Sequence, residues 1–208
     1  MNTKALDGPD FELIRVRTSL IELVKSFFAK EPDGELIASW RGALSAMSTP
    51  GAPPPLVRAA SELLQLLHTS ELKDLRDEFY ELFTDPFSKN HVITNVCYYL
   101  DGKNFGASFV RLKEILQDAA LEKDSKASGS EDELPIVLDA YQQLIEFERK
   151  QNGLERGREL QSRLLKEILY PFSRSFKETL GANSRARFYR LAASLMEEIL
   201  NLETSLFP

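Results

Sequence analysis

Apolar residues recur every three or four positions through most of this chain, the spacing of helices that bury one face. Between Phe11 and Phe28 the residues Leu13, Val16, Leu20, Leu23, Val24 and Phe27 fall on one stripe, and Pro32 closes the segment. A second helix puts Leu36, Ile37, Trp40, Leu44 and Met47 on one face. It then meets Ser48, Thr49, Pro50, Gly51 and Pro53 to Pro55, where the chain must turn. Leu56 to Leu67 and Leu72 to Phe83 repeat the pattern, with Ser70 placed to accept the first free amide of the latter.

The period fails from Thr84 to Phe105, where Pro86, Asn90, Asn95 and Asp101-Gly102 punctuate the chain. Val96 to Leu100 is an apolar run too short for a helix, so this stretch reads as a long ordered loop with a strand-like piece. Long irregular stretches inside compact folds are more often functional than ordinary connections. A helix from about Phe105 to Ala120 buries Phe109, Leu112, Ile115, Leu116 and Ala119, and the charged, Ser-rich Glu122 to Gly129 reads as a flexible loop. Ser130 and Glu133 have the spacing of a capping box, opening a helix that carries Leu134, Val137, Leu138, Tyr141, Leu144 and Ile145. Leu160, Leu164, Leu165, Ile168 and Leu169 continue the helical spacing to a bend near Pro171. Phe172, Phe176 and Leu180 extend it to a stop at Gly181. Ser184 is placed to cap a last helix with Phe188, Leu191, Leu195, Ile199 and Leu202. The pattern predicts an all-α fold: a single-domain bundle of about eight to nine helices over residues 1–208. A long ordered loop lies in its middle, and flexible loops are expected near 48–55 and 122–129.

Composition narrows the function. With 43% apolar residues among 208, the chain can build one sizeable core. A net charge of −6 disfavours a nucleic-acid binder, which needs a dense basic face. One cysteine, Cys97, excludes an intrachain disulfide framework. Met1 to Asp10 lacks the apolar core of a secretory signal, and no stretch approaches the roughly 18 apolar residues of a membrane span. A cytoplasmic protein without stable membrane insertion is expected.

Catalytic parts are sparse. The histidines are His68 and His91, with Cys97 six residues past the second, in an apolar setting that favours the inert thiol. Neither histidine has a metal-binding spacing, and Glu131, Asp132 and Glu133 lack that of a calcium loop. No phosphate-binding glycine loop is present. The expectation is a binding protein with no enzymatic activity, no metal and no cofactor.

Three segments resemble a known family. Phe79-Tyr80-Glu81-Leu82-Phe83, then Pro86, then Tyr98-Tyr99-Leu100-Asp101-Gly102 resemble the Y-x-x-L-F segment, proline and tyrosine-containing loop of the TorD/DmsD/NarJ chaperones. Glu131-Asp132-Glu133-Leu134-Pro135 and the residues after it resemble that family's E-x-P-x-D-H motif in its NarJ-like form. Lys166 to Pro171 and Phe188-Tyr189 are similar to its late helices. Glu133 stands where the family has histidine, and Glu131 where it has a nearby proline.

The resemblance implies an all-helical chaperone without catalytic turnover. It implies binding to the precursor of a molybdenum-enzyme catalytic subunit, often at its twin-arginine signal peptide, before cofactor loading and export. A paired-arginine head with an apolar body calls for carboxylates beside an aromatic groove. Asp101, Asp132 and Glu133 are the candidates for the first, and Phe79, Phe83, Tyr98 and Tyr99 for the second, with Pro86, Leu134 and Pro135 shaping the site. Each also has a plainer reading: Phe79 and Phe83 as core, Glu133 as a helix cap, Asp132 as a partner of the helix dipole, one tyrosine of the pair as core, Asp101-Gly102 as a turn. The competing functional reading is a ligand-sensing or dimerising helical domain of a regulatory protein. A small hydrolase built on Cys97 is the third. The long loops are compatible with a monomer or a domain-swapped dimer.

Overall fold

The computed structural model describes residues 8–47, 51–121, 129–148 and 154–207. Ten α-helical segments follow one another: α1 (Gly8–Ala29), α2 (Gly34–Ala46), α3 (Pro54–Thr69), α4 (Leu72–Phe79), α5 (Val96–Asp101), α6 (Ala107–Asp118), α7 (Leu134–Phe147), α8 (Leu154–Leu164), α9 (Tyr170–Ala182) and α10 (Phe188–Ser205). A π turn, Tyr80–Thr84, extends α4, and a second, Leu165–Leu169, joins α8 to α9 without a break. Among the described residues nine helical rods result, and the β-pairing is one isolated bridge. Of the loops expected at 48–55 and 122–129, residues 48–50 and 122–128 lie outside the described residues, and Pro54 and Pro55 already belong to α3.

α10 is the hub. Phe188, Ala192, Leu195, Met196, Ile199 and Leu200 bury it on several sides, against α9, α3 and α1. α1 lies along α7, α2 packs on α3, and α5 sits between α9 and α6. One continuous apolar cluster holds the helices, with Phe27, Trp40 and Phe188 at its centre. The Trp40 ring stacks on Phe188 at 5.2 Å, and its indole N–H donates to Ser26 Oγ at 2.8 Å, so the large apolar surface is buried without orphaning its donor.

Several sequence expectations need correction. In α1 the buried positions are Ile14, Arg17, Ile21, Leu23, Val24, Phe27 and Phe28, so the expected stripe holds at Leu23, Val24 and Phe27, while Leu13 and Val16, at its head, are 47% and 50% exposed. Val96 to Leu100 does form a helix, α5, because its neighbours supply packing and Gly102, at φ 67°, ends it in the left-handed region. Thr84–Phe105 is therefore not one unbroken loop. Ser70 does not cap α4; its hydroxyl donates to Leu66 O and finishes α3 instead. Gly181 lies inside α9 rather than beyond it. The helix runs on through Pro171, which lies in the first turn of α9. The π turn just before it, with Tyr170 N–H donating to Leu165 O, admits an extra residue where the proline ring would crowd the preceding turn.

The cap of α10 comes from across the fold. Ser184 is not its N-cap; the α4 carboxylate of Glu78 accepts from the main-chain N–H groups of Phe188 at 3.1 Å and Tyr189 at 3.0 Å. Burial raises the Glu78 pKa, against the lowering effect of these amide bonds.

Candidate functional site

The two motif segments, far apart in sequence, are zipped together. Asn95 and Glu133 form an antiparallel bridge, with Val96 N–H donating to Asp132 O at 2.8 Å and Leu134 N–H to Thr94 O at 3.0 Å. Asn95 Nδ2 donates to Asp132 Oδ1 at 2.9 Å, and Asp132 is buried. α5 and α7 both start from this seam, so their first residues, Val96 and Leu134, leave it side by side into the core. Pro135 sits in the first turn of α7, where its missing N–H costs nothing.

Half of the capping box exists. Glu133 Oε1 accepts from Ser130 N–H at 3.2 Å, but Glu133 itself is the N-cap position and α7 begins one residue later. Gly129, at φ 91°, brings the backbone so near the Glu133 carboxylate that a Cβ would overlap it. Glu131 pairs with Lys113 of α6 at 2.9 Å.

Asp101 is spent on structure. Its Oδ2 accepts from Ser108 N–H at 2.8 Å and its Oδ1 from the Ser108 hydroxyl at 3.0 Å, which caps α6 from the end of α5. All three carboxylates expected to hold a cation thus accept an internal hydrogen bond, and of them Asp132 is buried while Asp101 and Glu133 are partly exposed.

The aromatic candidates form a connected set inside the bundle. Phe79 and Phe83, both half-buried, meet Tyr189 at 5.9 and 4.9 Å. Phe83 reaches Phe28, which contacts Phe176, which contacts Tyr99 at 5.7 Å. Tyr99 donates its hydroxyl to Ile93 O at 2.9 Å, and burial pushes its phenol up to about 12. Tyr98, half-buried, touches the Tyr99 ring at 6.1 Å. The tyrosines do not split between core and surface as an extended strand would require, because both lie on a helix. Pro86 lies on a tight turn held by Asp85, whose side chain accepts from Phe87 N–H at 2.9 Å; this turn presents Phe87 93% exposed. An open cleft beside it is lined by Asp77, Tyr80, Glu81, Asp85 and Arg185 among others.

Sequence reasoning missed Asn95, Ser108 and Phe87. Asn95 and Ser108 carry no local signal, since their partners are set by tertiary structure, but Phe87 after Asp-Pro was readable as an aromatic on a turn. Cys97 is buried; burial pushes its thiol up to about 12, and the Asp132 and Asp101 carboxylates add to the effect. Among the described residues no three His, Cys, Asp or Glu side chains converge as a metal would need, and no helix is long and apolar enough to cross a membrane.

The fold is an all-α scaffold that clasps two irregular segments together, with the buried Cys97 beside them. The chain belongs to the nitrate reductase delta subunit family, which it matches over residues 49–178, more than half its length. This is a family of NarJ/TorD-type chaperones, and membership implies a chaperone for molybdoenzyme maturation that acts with molybdoenzyme subunits. The match runs from the turn before α3 into α9 and takes in both motif segments. No curated protein and no solved structure matches the chain.

Proposed function

We propose that the chain, as one domain acting in the cytoplasm, binds the precursor of a molybdenum-containing oxidoreductase through a cationic and apolar segment, its twin-arginine signal peptide. Bound there, the precursor is held back from export until its cofactor is loaded. The docking site is the seam between 84–105 and 130–135: Glu133 takes an arginine, and Tyr98, Pro86 and Pro135 border the apolar body, with buried Leu134 supporting them from the core. Phe79, Phe83, Tyr99, Asp101 and Asp132 build the walls from behind. The observation that carries this reading is the Asn95–Glu133 bridge, which joins both family motifs into one surface feature. A guanidinium beside a partly buried carboxylate gains a charge-assisted bond that salt weakens.

Isothermal titration of the full chain against twin-arginine signal peptides from the same genome tests it. Binding should appear for at least one peptide, fall as salt rises, and fall again with Glu133→Gln. Absence of binding to every such peptide would reject the signal-peptide reading while leaving family membership untouched.

A further inference from the structure

α1 carries two apolar stripes. Leu13, Val16, Leu20, Leu23 and Phe27 form one; Ile14, Arg17, Ile21, Val24 and Phe28 form the other, displaced by one residue, about 100° around the helix. The first is wholly apolar, and the second has a charge in its middle. Toward the end of α1 both stripes are buried, Leu23 and Phe27 as well as Val24 and Phe28; over the first turns burial of apolar surface alone favours the first, yet the helix docks there on the second, leaving Leu13 and Val16 about half exposed and Arg17 at 3%.

Arg17 finds partners from three other parts of the bundle. Its Nε donates to the two oxygens of Glu203 at 3.0 and 3.1 Å, and Nη2 donates to Glu203 Oε2 at 2.8 Å and Gln161 Oε1 at 2.7 Å. Nη1 donates to Glu148 Oε2 at 3.0 Å. Tyr141 adds its hydroxyl to Glu203 Oε2 at 2.7 Å, Gln161 donates onward to Leu144 O, and the Phe207 ring lies 5.8 Å from the guanidinium. Glu148, Glu203 and Gln161 are all buried. A rotation of α1 by one residue would bring Val16 to the place of Arg17 and leave Glu203 ionised and buried without its cation. Uncompensated buried charge is among the most costly arrangements in a folded protein.

We propose that the Arg17–Glu203–Glu148–Gln161 cluster is a register device, which makes α1 dock by its Ile14–Arg17–Ile21–Val24 face and rejects the competing, more apolar Leu13–Val16–Leu20 face. A buried polar group that selects one of several apolar packings is an attested use of such clusters. Leu13 and Val16 stay outward as a consequence of the rejection.

Thiol labelling reads the register directly. Cys97 is a silent background, being buried with its thiol pushed up to about 12. Single reporters Ile14→Cys and Val16→Cys are placed in the parent and in Arg17→Met with Glu203→Gln. In that double variant the new amide at position 203 can still accept from Tyr141, and Glu148 keeps its ion pair with Arg158 at 3.5 Å. In the parent, the thiol at 16 should react at least about tenfold faster than that at 14. In the variant the two rates should converge to within about threefold or invert. A persisting tenfold gap in a variant that still melts cooperatively overturns the proposal. Should that variant fail to fold, adding Leu13→Gln and Val16→Gln removes the competing face. Recovery of a cooperative melt with a slow thiol at 14 supports the proposal, and failure to recover overturns it.

Discussion

Asn95 Nδ2 donates to Oδ1 of Asp132 at 2.9 Å, a side-chain bond between residues 37 apart that lies beside the backbone bridge of the seam. Because Asp132 is buried, its partner matters more than a surface contact would. Asn95→Ala leaves that carboxylate oxygen unpaired and should cost about 1–3 kcal/mol in a urea titration. Asn95→Asp sets a second carboxylate against the first and should cost more, whereas Asp132→Asn keeps an acceptor and should cost least. Equal losses for all three would mean the bond is incidental.

The thiol of Cys97 should be inert in the folded chain. With its pKa pushed up to about 12 by burial and by two nearby carboxylates, almost no thiolate exists at neutral pH. A thiol-exchange reagent at pH 8 should modify it only at the rate of unfolding, and immediately once the chain is unfolded in guanidinium. Cys97→Ala should leave client binding intact.

Glu78 makes stability depend on pH in an unusual direction for a carboxylate. Burial raises its folded pKa, so the folded chain holds that proton more tightly than the unfolded one. The contribution is fully present below the unfolded value, about 4.3, and is lost as pH rises through the higher folded value. Glu78→Gln retains an acceptor for the α10 amides and removes this titration. The Tm of the parent relative to that variant should therefore decline between pH 4 and 7, and a flat difference would rule the effect out. Asp139 works the opposite way: burial pushes its pKa up, but the bonds from Lys25 and Gln143 outweigh burial and hold it below its ordinary value. Its stabilisation is present above the ordinary range and fades as pH falls through the depressed value.

Two glycine substitutions should have opposite signs. Gly42 lies within α2, with nothing within 4 Å of where a Cβ would stand, so Gly42→Ala should stabilise by about 0.5–1 kcal/mol. At Gly106 a Cβ would run into the Asp101 carboxylate that caps α6, so Gly106→Ala should destabilise. Thermal melts of the two variants separate these outcomes.

Periodicity identified most of the long helices because their burial is one-sided, and spacing alone expresses that. It failed over the first turns of α1, where two neighbouring stripes were both apolar enough and the deciding partner, Glu203, lies 186 residues away. It failed at α5, whose six residues are too few for a period and whose helicity comes from packing on α9 and α6. Ser184 had the chemistry of a cap but lost the position to Glu78, which no local pattern could reveal. In the candidate site, the motif residues were readable one segment at a time. Their pairing across the seam, and the commitment of Asp101 and Asp132 to internal bonds, belong to tertiary structure.

The bridge at Asn95–Glu133 also closes a ring in the chain. α5 and α6 leave the seam on one side and the backbone returns to it on the other, so the excursion is pinned at both its entrance and its exit. A single peptide-bond cut between 122 and 128 would then divide the polypeptide without dividing the particle. The fragments would stay mated through the seam, through α1 lying on α7, and through Arg17 gripping Glu203, and would part only under denaturant.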